Sequence, residues 1–138
     1  MTKEIVYGER TRKVIGETFG PYSHAVKTKG STFLFIAGET ALVHGEVIGK
    51  GDIGAQYKQI MANMQAILED AGGSMSDIVK LVNYVVPKVT PDSPEYAAIR
   101  AARTQYIPKA PPVSTMVQVA GLMIDDLLVE VDAIAVLD

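Results

Sequence analysis

Asp52-Ile53-Gly54-Ala55-Gln56-Tyr57-Lys58-Gln59-Ile60-Met61-Ala62-Asn63-Met64-Gln65-Ala66-Ile67-Leu68-Glu69-Asp70-Ala71-Gly72-Gly73 reads as one long amphipathic helix with both ends marked. Asp52 is a ready N-cap, its carboxylate placed to accept a free backbone N–H of the first turn. Ile53, Tyr57, Ile60, Met61, Met64, Ile67, Leu68 and Ala71 follow at steps of three and four residues and make one apolar stripe. Glu69 and Asp70 fall unfavourably at the negative end of the helix dipole, and Gly72-Gly73 stops the helix. A second helix is predicted from Ser93-Pro94-Glu95, with Ser93 as cap, Pro94 in the first turn and Glu95 at the positive dipole end. It ends near Ile107, because Pro108 disfavours helical geometry in the residue before it. Tyr96, Ile99, Ala102, Arg103 and Tyr106 share one side, and Ala97, Ala98, Ala101 and Ala102 permit close packing.

Around these helices the apolar, β-branched runs read as strands. They are Ile5–Tyr7, Ser23–Lys27, Thr32–Ala37, Leu42–Ile48, Ile78–Val86, Thr115–Ala120 and Leu128–Val136. Early hairpins followed by two helical crossovers predict an α+β domain, with a mixed six-stranded sheet and both helices on one face. The other face is then left with apolar residues in need of a partner, which an oligomer supplies most simply.

The 138 residues suffice for one domain with a substantial core. Hydrophobic residues are 48% and charged residues 21%, which excludes a disordered chain. Thirteen Lys+Arg against sixteen Asp+Glu give a net charge of −3, no basis for seeking nucleic acid or an anionic membrane. With no cysteine there is no disulfide, thiolate metal site or Cys nucleophile, and the composition fits a reducing compartment. No apolar run approaches the ~18 residues of a membrane span, and Met1-Thr2-Lys3-Glu4 lacks the apolar stretch of a signal peptide. A soluble cytoplasmic protein is the expectation.

Gly49-Lys50-Gly51-Asp52-Ile53-Gly54 matches the G-x-G-x-x-G spacing of dinucleotide loops, but it lacks a strong preceding strand, and Asp52 would repel a phosphate. It reads as a glycine-rich turn capped by Asp52. His24 and His44 are the only histidines and make no metal site by themselves. His44, beside Gly45-Glu46, reads as a turn residue; His24 follows Tyr22-Ser23 and is placed to line a pocket. Glu130 and Asp132 interrupt an apolar strand two residues apart and so share a face. That face is either solvated or an oligomer interface where partial burial would raise a carboxylate pKa and fit it for proton relay. Arg100 and Arg103 lie on the second helix, and Arg103, on its apolar side, either snorkels outward or reaches an anion.

Gly20-Pro21-Tyr22-Ser23-His24-Ala25-Val26 and Ile36-Ala37-Gly38-Glu39-Thr40 resemble the G-P-Y-S-x-A and S-G-Q segments of the Rid (YjgF-type) enamine/imine deaminases. The stretch from Gly45-Glu46-Val47 through Gly51–Gln56 to Asn63, with Ala66–Glu69 and Ala71-Gly72, is similar to that family's central helix. Val117-Gln118-Val119-Ala120-Gly121-Leu122 and Val129-Glu130-Val131-Asp132-Ala133-Ile134-Ala135 resemble its C-terminal hairpin. The likeness covers nearly the whole chain from Gly20.

It implies a chorismate-mutase-like α+β fold and a homotrimer with clefts between subunits. It also implies cofactor-free and metal-free hydrolysis of reactive enamines or imines to 2-keto acids and ammonia. By residue it implies that Glu130 helps activate water, that Tyr22 lines the cleft, and that the backbone N–H near Met116 touches a substrate carboxylate. Gly38 and Glu39 match the S-G-Q segment. The family's carboxylate-gripping Arg falls on Ser114, or on Val113 with a one-residue shift, and neither supplies a bidentate charged bond. Such a loss costs roughly 2–5 kcal/mol in binding. Ala37 and Glu39 replace the Ser and Gln of S-G-Q, and Glu39 adds a negative charge near the cleft.

Three readings follow. The first is a deaminase acting on an imine other than the simple 2-imino acids, with Arg100 or Arg103 replacing the lost cation. The second is a non-catalytic small-molecule-binding or regulatory trimer of the same fold, which kept the clefts and lost the carboxylate-dependent chemistry. The third is a ribonuclease, as some relatives have been labelled, which the −3 charge and the absence of a basic aromatic stripe oppose. Small-molecule ligands and self-association are therefore the partners expected, with no nucleic acid and no membrane.

Overall fold

The computed structural model describes residues 1–138. The chain runs β1 (Thr2–Ile5), α1 (Glu9–Val14), β2 (Val26–Lys29), β3 (Thr32–Glu39), β4 (Leu42–Val43), β5 (Glu46–Val47) and α2 (Ile53–Asp70). It continues through β6 (Ile78–Val85), α3 (Pro94–Tyr106), β7 (Val113–Gln118) and β8 (Val129–Leu137). The central sheet has the order β3-β8-β6-β7; β6 and β7 are parallel, joined by the α3 crossover, and the other pairs are antiparallel.

Both main helices are capped as their sequence dictates. The Asp52 carboxylate accepts the Ala55 N–H at 3.0 Å, and Ser93 Oγ accepts the Tyr96 N–H at 3.2 Å. At the far end of α2, Gly72 adopts φ +82°, Gly72 N–H bonds Glu69 C=O, and Gly73 N–H bonds Leu68 C=O. This pair of bonds satisfies carbonyls that the helix leaves open. The stripe Ile53, Tyr57, Ile60, Met61, Met64 and Leu68 is buried against Leu81 and Val85 of β6 and Val129, Val131, Ala133 and Ala135 of β8. Gly54 faces Ala98, where an added Cβ would come within 2.8 Å of the alanine methyl, so the two helices approach closely there.

Four strands, not six, form the central sheet. β1 and β2 pair as a separate antiparallel ribbon. Lys3 Nζ donates to the Ile78 carbonyl at 2.7 Å and ties this ribbon to the end of β6. Gly30, just after β2, lies against Val136. The predicted strand at Leu42–Ile48 is a hairpin of two-residue strands turning at His44 and Gly45, which have φ +49° and +81°. Backbone of that hand belongs to a tight hairpin turn. The predicted strand at Ser23–Lys27 begins only at Val26, because Ser23 makes an isolated bridge to Val113 instead. The short α1 was not anticipated; none of its residues is buried, so it has no apolar stripe to read.

Candidate functional site

Two groups of chemistry-bearing residues form, on opposite faces of the sheet. The first begins where the N-terminal segment docks on β7. Ser23 N–H donates to the Pro112 carbonyl at 2.9 Å, and Ser23 Oγ–H donates to that of Pro111. This places Tyr22 beside the start of β7, next to Ser114 and Met116. Phe19 stands edge-on to Tyr22 (5.7 Å between centroids) and 6.0 Å from the ring of Tyr96 on α3. With Val89, Thr90, Pro91 and Arg103, these side chains enclose a cavity of about 290 Å³.

Arg103 forms the charged floor of this cavity and is only 3% exposed. Its Nε and Nη2 donate to Tyr57 Oη at 3.1 and 2.7 Å, and Nη2 also donates to Asn83 Oδ1 at 3.0 Å. Tyr57 Oη–H donates to the same Asn83 oxygen at 2.7 Å. Asn83 Nδ2 donates to Ser114 Oγ at 2.9 Å and to the Thr115 carbonyl at 2.8 Å, which fixes the amide orientation. Burial pushes the Tyr57 phenol above its usual pKa against the opposing pull of Arg103, so Tyr57 is a neutral partner. The chain's ion pairs are Met1–Asp138, Lys27–Glu4 and Lys50–Asp126; none involves Arg103.

The second group lies on the face that the helices leave open. Between Ile36↔Ala133 and Glu39↔Val131, β3 spends one residue more than β8, a bulge centred on Ala37-Gly38. The bare backbone of Gly38 makes room for the Glu130 carboxylate, which a side chain at position 38 would displace. Glu39 lies close enough that burial, and secondarily the Glu130 charge, raise its carboxyl above the usual 4.5. Tyr84, directly opposite Glu130 in register, donates from Oη to Asp132 Oδ2 at 3.0 Å. That bond, with the Asp132 charge, raises the Tyr84 pKa. Glu130 and Asp132 are half-buried.

The candidates from sequence thus separate. Tyr22, Arg103, Ser114 and Met116 line one cavity. Gly38 and Glu130 meet on the other face, whereas Glu39 pairs in register with inward-facing Val131 and only feels the Glu130 charge across the bulge. Ser114 and Met116 pair with Leu81 and Asn83, whose side chains point under the helices, whereas Glu130 pairs with Tyr84, which points away. Arg100 does not join either group: it is exposed and outside the cavity lining, one helical turn short of Arg103. His24 lines a smaller neighbouring cavity with Tyr7 and Glu17, its Nε2 2.9 Å from the Gly16 carbonyl oxygen.

Residues 13–137 match the family model described as Endoribonuclease L-PSP, the YjgF/RidA group. The chain belongs to the Rid family. It is 36% identical over 137 residues to a RutC family protein of Pyrococcus abyssi, with 98% of each chain covered. It is 31% identical over 136 residues to the 3-aminoacrylate deaminase RutC of Acinetobacter baylyi, again with 98% of each covered. The solved structure of the Rid protein YyfB of Yersinia pestis superposes with a TM-score of 0.85 at 33% identity, covering 99% of this chain and 100% of that one. The mixed α+β architecture is therefore that of Rid proteins. Within this Rid chain the sequence reading did not pick out Asn83, Phe19 or the role of Tyr57 as Arg103's partner. Asn83 carried a signal: it is the one polar residue among the inward positions Leu81, Asn83 and Val85.

Proposed function

We propose that this Rid-family protein hydrolyses a reactive enamine or imine to a carbonyl compound and ammonia, in a cleft between subunits of a homotrimer. The observation that carries this reading is Glu130, a half-buried carboxylate held over the bare backbone of Gly38 beside a second carboxylate, Glu39, that resists ionisation. A carboxylate so placed can act as a general base toward water. Glu130 accepts a proton from water as its oxygen bonds to the C=N carbon. The resulting carbinolamine is protonated on nitrogen, its C–N bond breaks, ammonia leaves, and the carbinol O–H proton is lost as the carbonyl forms. An enamine enters the same sequence once protonated on carbon. The steps need neither metal nor cofactor. Similarity to a 3-aminoacrylate deaminase supports the reaction class. Exposed Phe33, Phe35 and Val117 on the same open face support burial against another copy.

The substrate differs from the simplest 2-imino acids, because Ser114 offers no charge at the strand position where the family carries its Arg. The same absence favours a second reading, a non-catalytic trimer that binds a small ligand. A coupled assay decides between them. A pyridoxal-phosphate-dependent dehydratase generates 2-aminoacrylate or 2-aminocrotonate, and imine loss is followed with the wild type, Glu130→Ala and Ser114→Arg. Because these are not its preferred substrates, the expected result is a slow acceleration by the wild type that Glu130→Ala abolishes. No wild-type acceleration, with a gain in Ser114→Arg, supports the binding protein instead.

A further inference from the structure

We propose that Arg103 is the anchor for a ligand carboxylate, and that the cavity above it selects an acid with a flat, apolar body over the smallest acids. This deepens the proposed function by naming the substrate's shape and anchor, and it rests on that reading only for turnover. Arg103 is a buried guanidinium whose partners, Tyr57 and Asn83, are both neutral, and no carboxylate of the chain pairs with it. Buried charge is costly unless an opposite charge meets it, so an anion belongs in the adjoining space. Nη1 makes no hydrogen bond within the chain, and the residue lines the cavity. Ser114 Oγ accepts from Asn83, which leaves its own proton to donate. Arg103 Nη1 and the Ser114 hydroxyl are thus two unused donors on residues that line one cavity, enough for the two oxygens of a carboxylate.

Apart from Thr90, the remaining wall is apolar and largely aromatic: Phe19, Tyr22, Tyr96 and Met116, with Val89 and Pro91. Tyr22 lies at about right angles to Phe19 and Tyr96 at a tilt to it, so the three rings pack as one aromatic cluster on this wall. A two- or three-carbon acid fills little of the roughly 290 Å³ available; a phenyl-sized body, which suits a cavity of about 150 Å³, takes up about half of it.

Calorimetric titration of the whole protein with phenylacetate, acetate and phenylacetamide separates charge from body. Phenylacetate is expected to bind at least about tenfold tighter than either of the others. Arg103→Met is expected to remove that advantage over the amide, while Tyr57 and Asn83 keep their mutual bond and the fold. Phe19→Ala, at a 60%-exposed position that leaves the core untouched, is expected to weaken phenylacetate several-fold and acetate not at all. The proposal is overturned if acid and amide bind alike, if no acid binds, or if Arg103→Met leaves phenylacetate affinity unchanged, which would make the guanidinium a structural cation only. Arg103-dependent binding without imine turnover upholds the anchor and removes the hydrolase reading. Turnover indifferent to Arg103 does the reverse.

Discussion

Along β8, successive residues belong to two different environments. Val129, Val131, Ala133 and Ala135 point under α2 and α3 and are almost wholly buried, while Glu130, Asp132 and Ile134 point to the open face and keep partial exposure. The covered side ends in a buried cation with no counter-charge, Arg103. The open side carries the carboxylates Glu130 and Asp132, among exposed Phe33 and Phe35. Each face holds what the other lacks. Side chains alternate across a strand, so one chain cannot bring the two sets together; two copies meeting edge to face can. In the function proposed here, the core face carries the fold and the anchoring half of the site, and the open face carries the catalytic carboxylate.

Substitutions on the two faces should therefore fail differently. Glu130→Ala is expected to lower imine turnover by about a hundredfold or more, with a denaturation midpoint close to that of the wild type. Coupled-assay rates set beside a urea melt check both halves of that statement. Leu81→Ala, at a fully buried position on β6, is expected to cost about 2–5 kcal/mol by the same melt. Phe35→Ser, at a position 73% exposed in the single chain, should leave the subunit's packing intact and weaken association, read by light scattering over a dilution series. A large melt defect in Phe35→Ser at high dilution, or none in Leu81→Ala, would reverse the assignment of the two faces.

The smallest effect concerns Glu39. Its raised pKa means the unfolded chain releases this proton before the folded one does. Its contribution to stability is full below the ordinary 4.5 and is lost as pH rises through the folded value. Glu39→Gln removes that loss, so the variant should gain on the wild type as pH climbs from 4.5 toward neutrality. The gain is less than about 1 kcal/mol, because Glu39 is only partly buried and solvent screens its charge. Urea melts across that range measure it, and a variant that lost ground instead would mean that the Glu39 charge is stabilising.

What the sequence disclosed follows from how local each signal is. α2 and α3 were legible because cap, apolar stripe and stop all lie within one segment: Asp52 to Gly73, and Ser93 to Pro108. The pairing of Glu130 with Asp132 on one face followed from strand alternation alone. Sheet membership was not legible, because it depends on where a distant segment docks. Ser23 bridges to Val113 and Lys3 reaches Ile78, so β1 and β2 form their own ribbon instead of extending the sheet. α1 buries nothing and left no pattern. Arg103 stayed open between surface and pocket, since its burial depends on Tyr57 and Asn83, 46 and 20 residues away along the chain. Arg100, offered beside it as a replacement cation, lies off the apolar stripe that Arg103 shares, and it is exposed.

The central claim is that catalysis joins Arg103 of one subunit to Glu130 of another, and a subunit-mixing experiment tests it most directly. Arg103→Met and Glu130→Ala are each assayed alone for imine hydrolysis, then unfolded together in equal amounts, refolded and assayed again. The account predicts two inactive parents and a mixture that regains about a quarter of the wild-type rate, the share of clefts that draw both intact side chains at random. A mixture as inactive as its parents, with mixed oligomers confirmed by mass, would place both residues' work within one subunit and contradict the account.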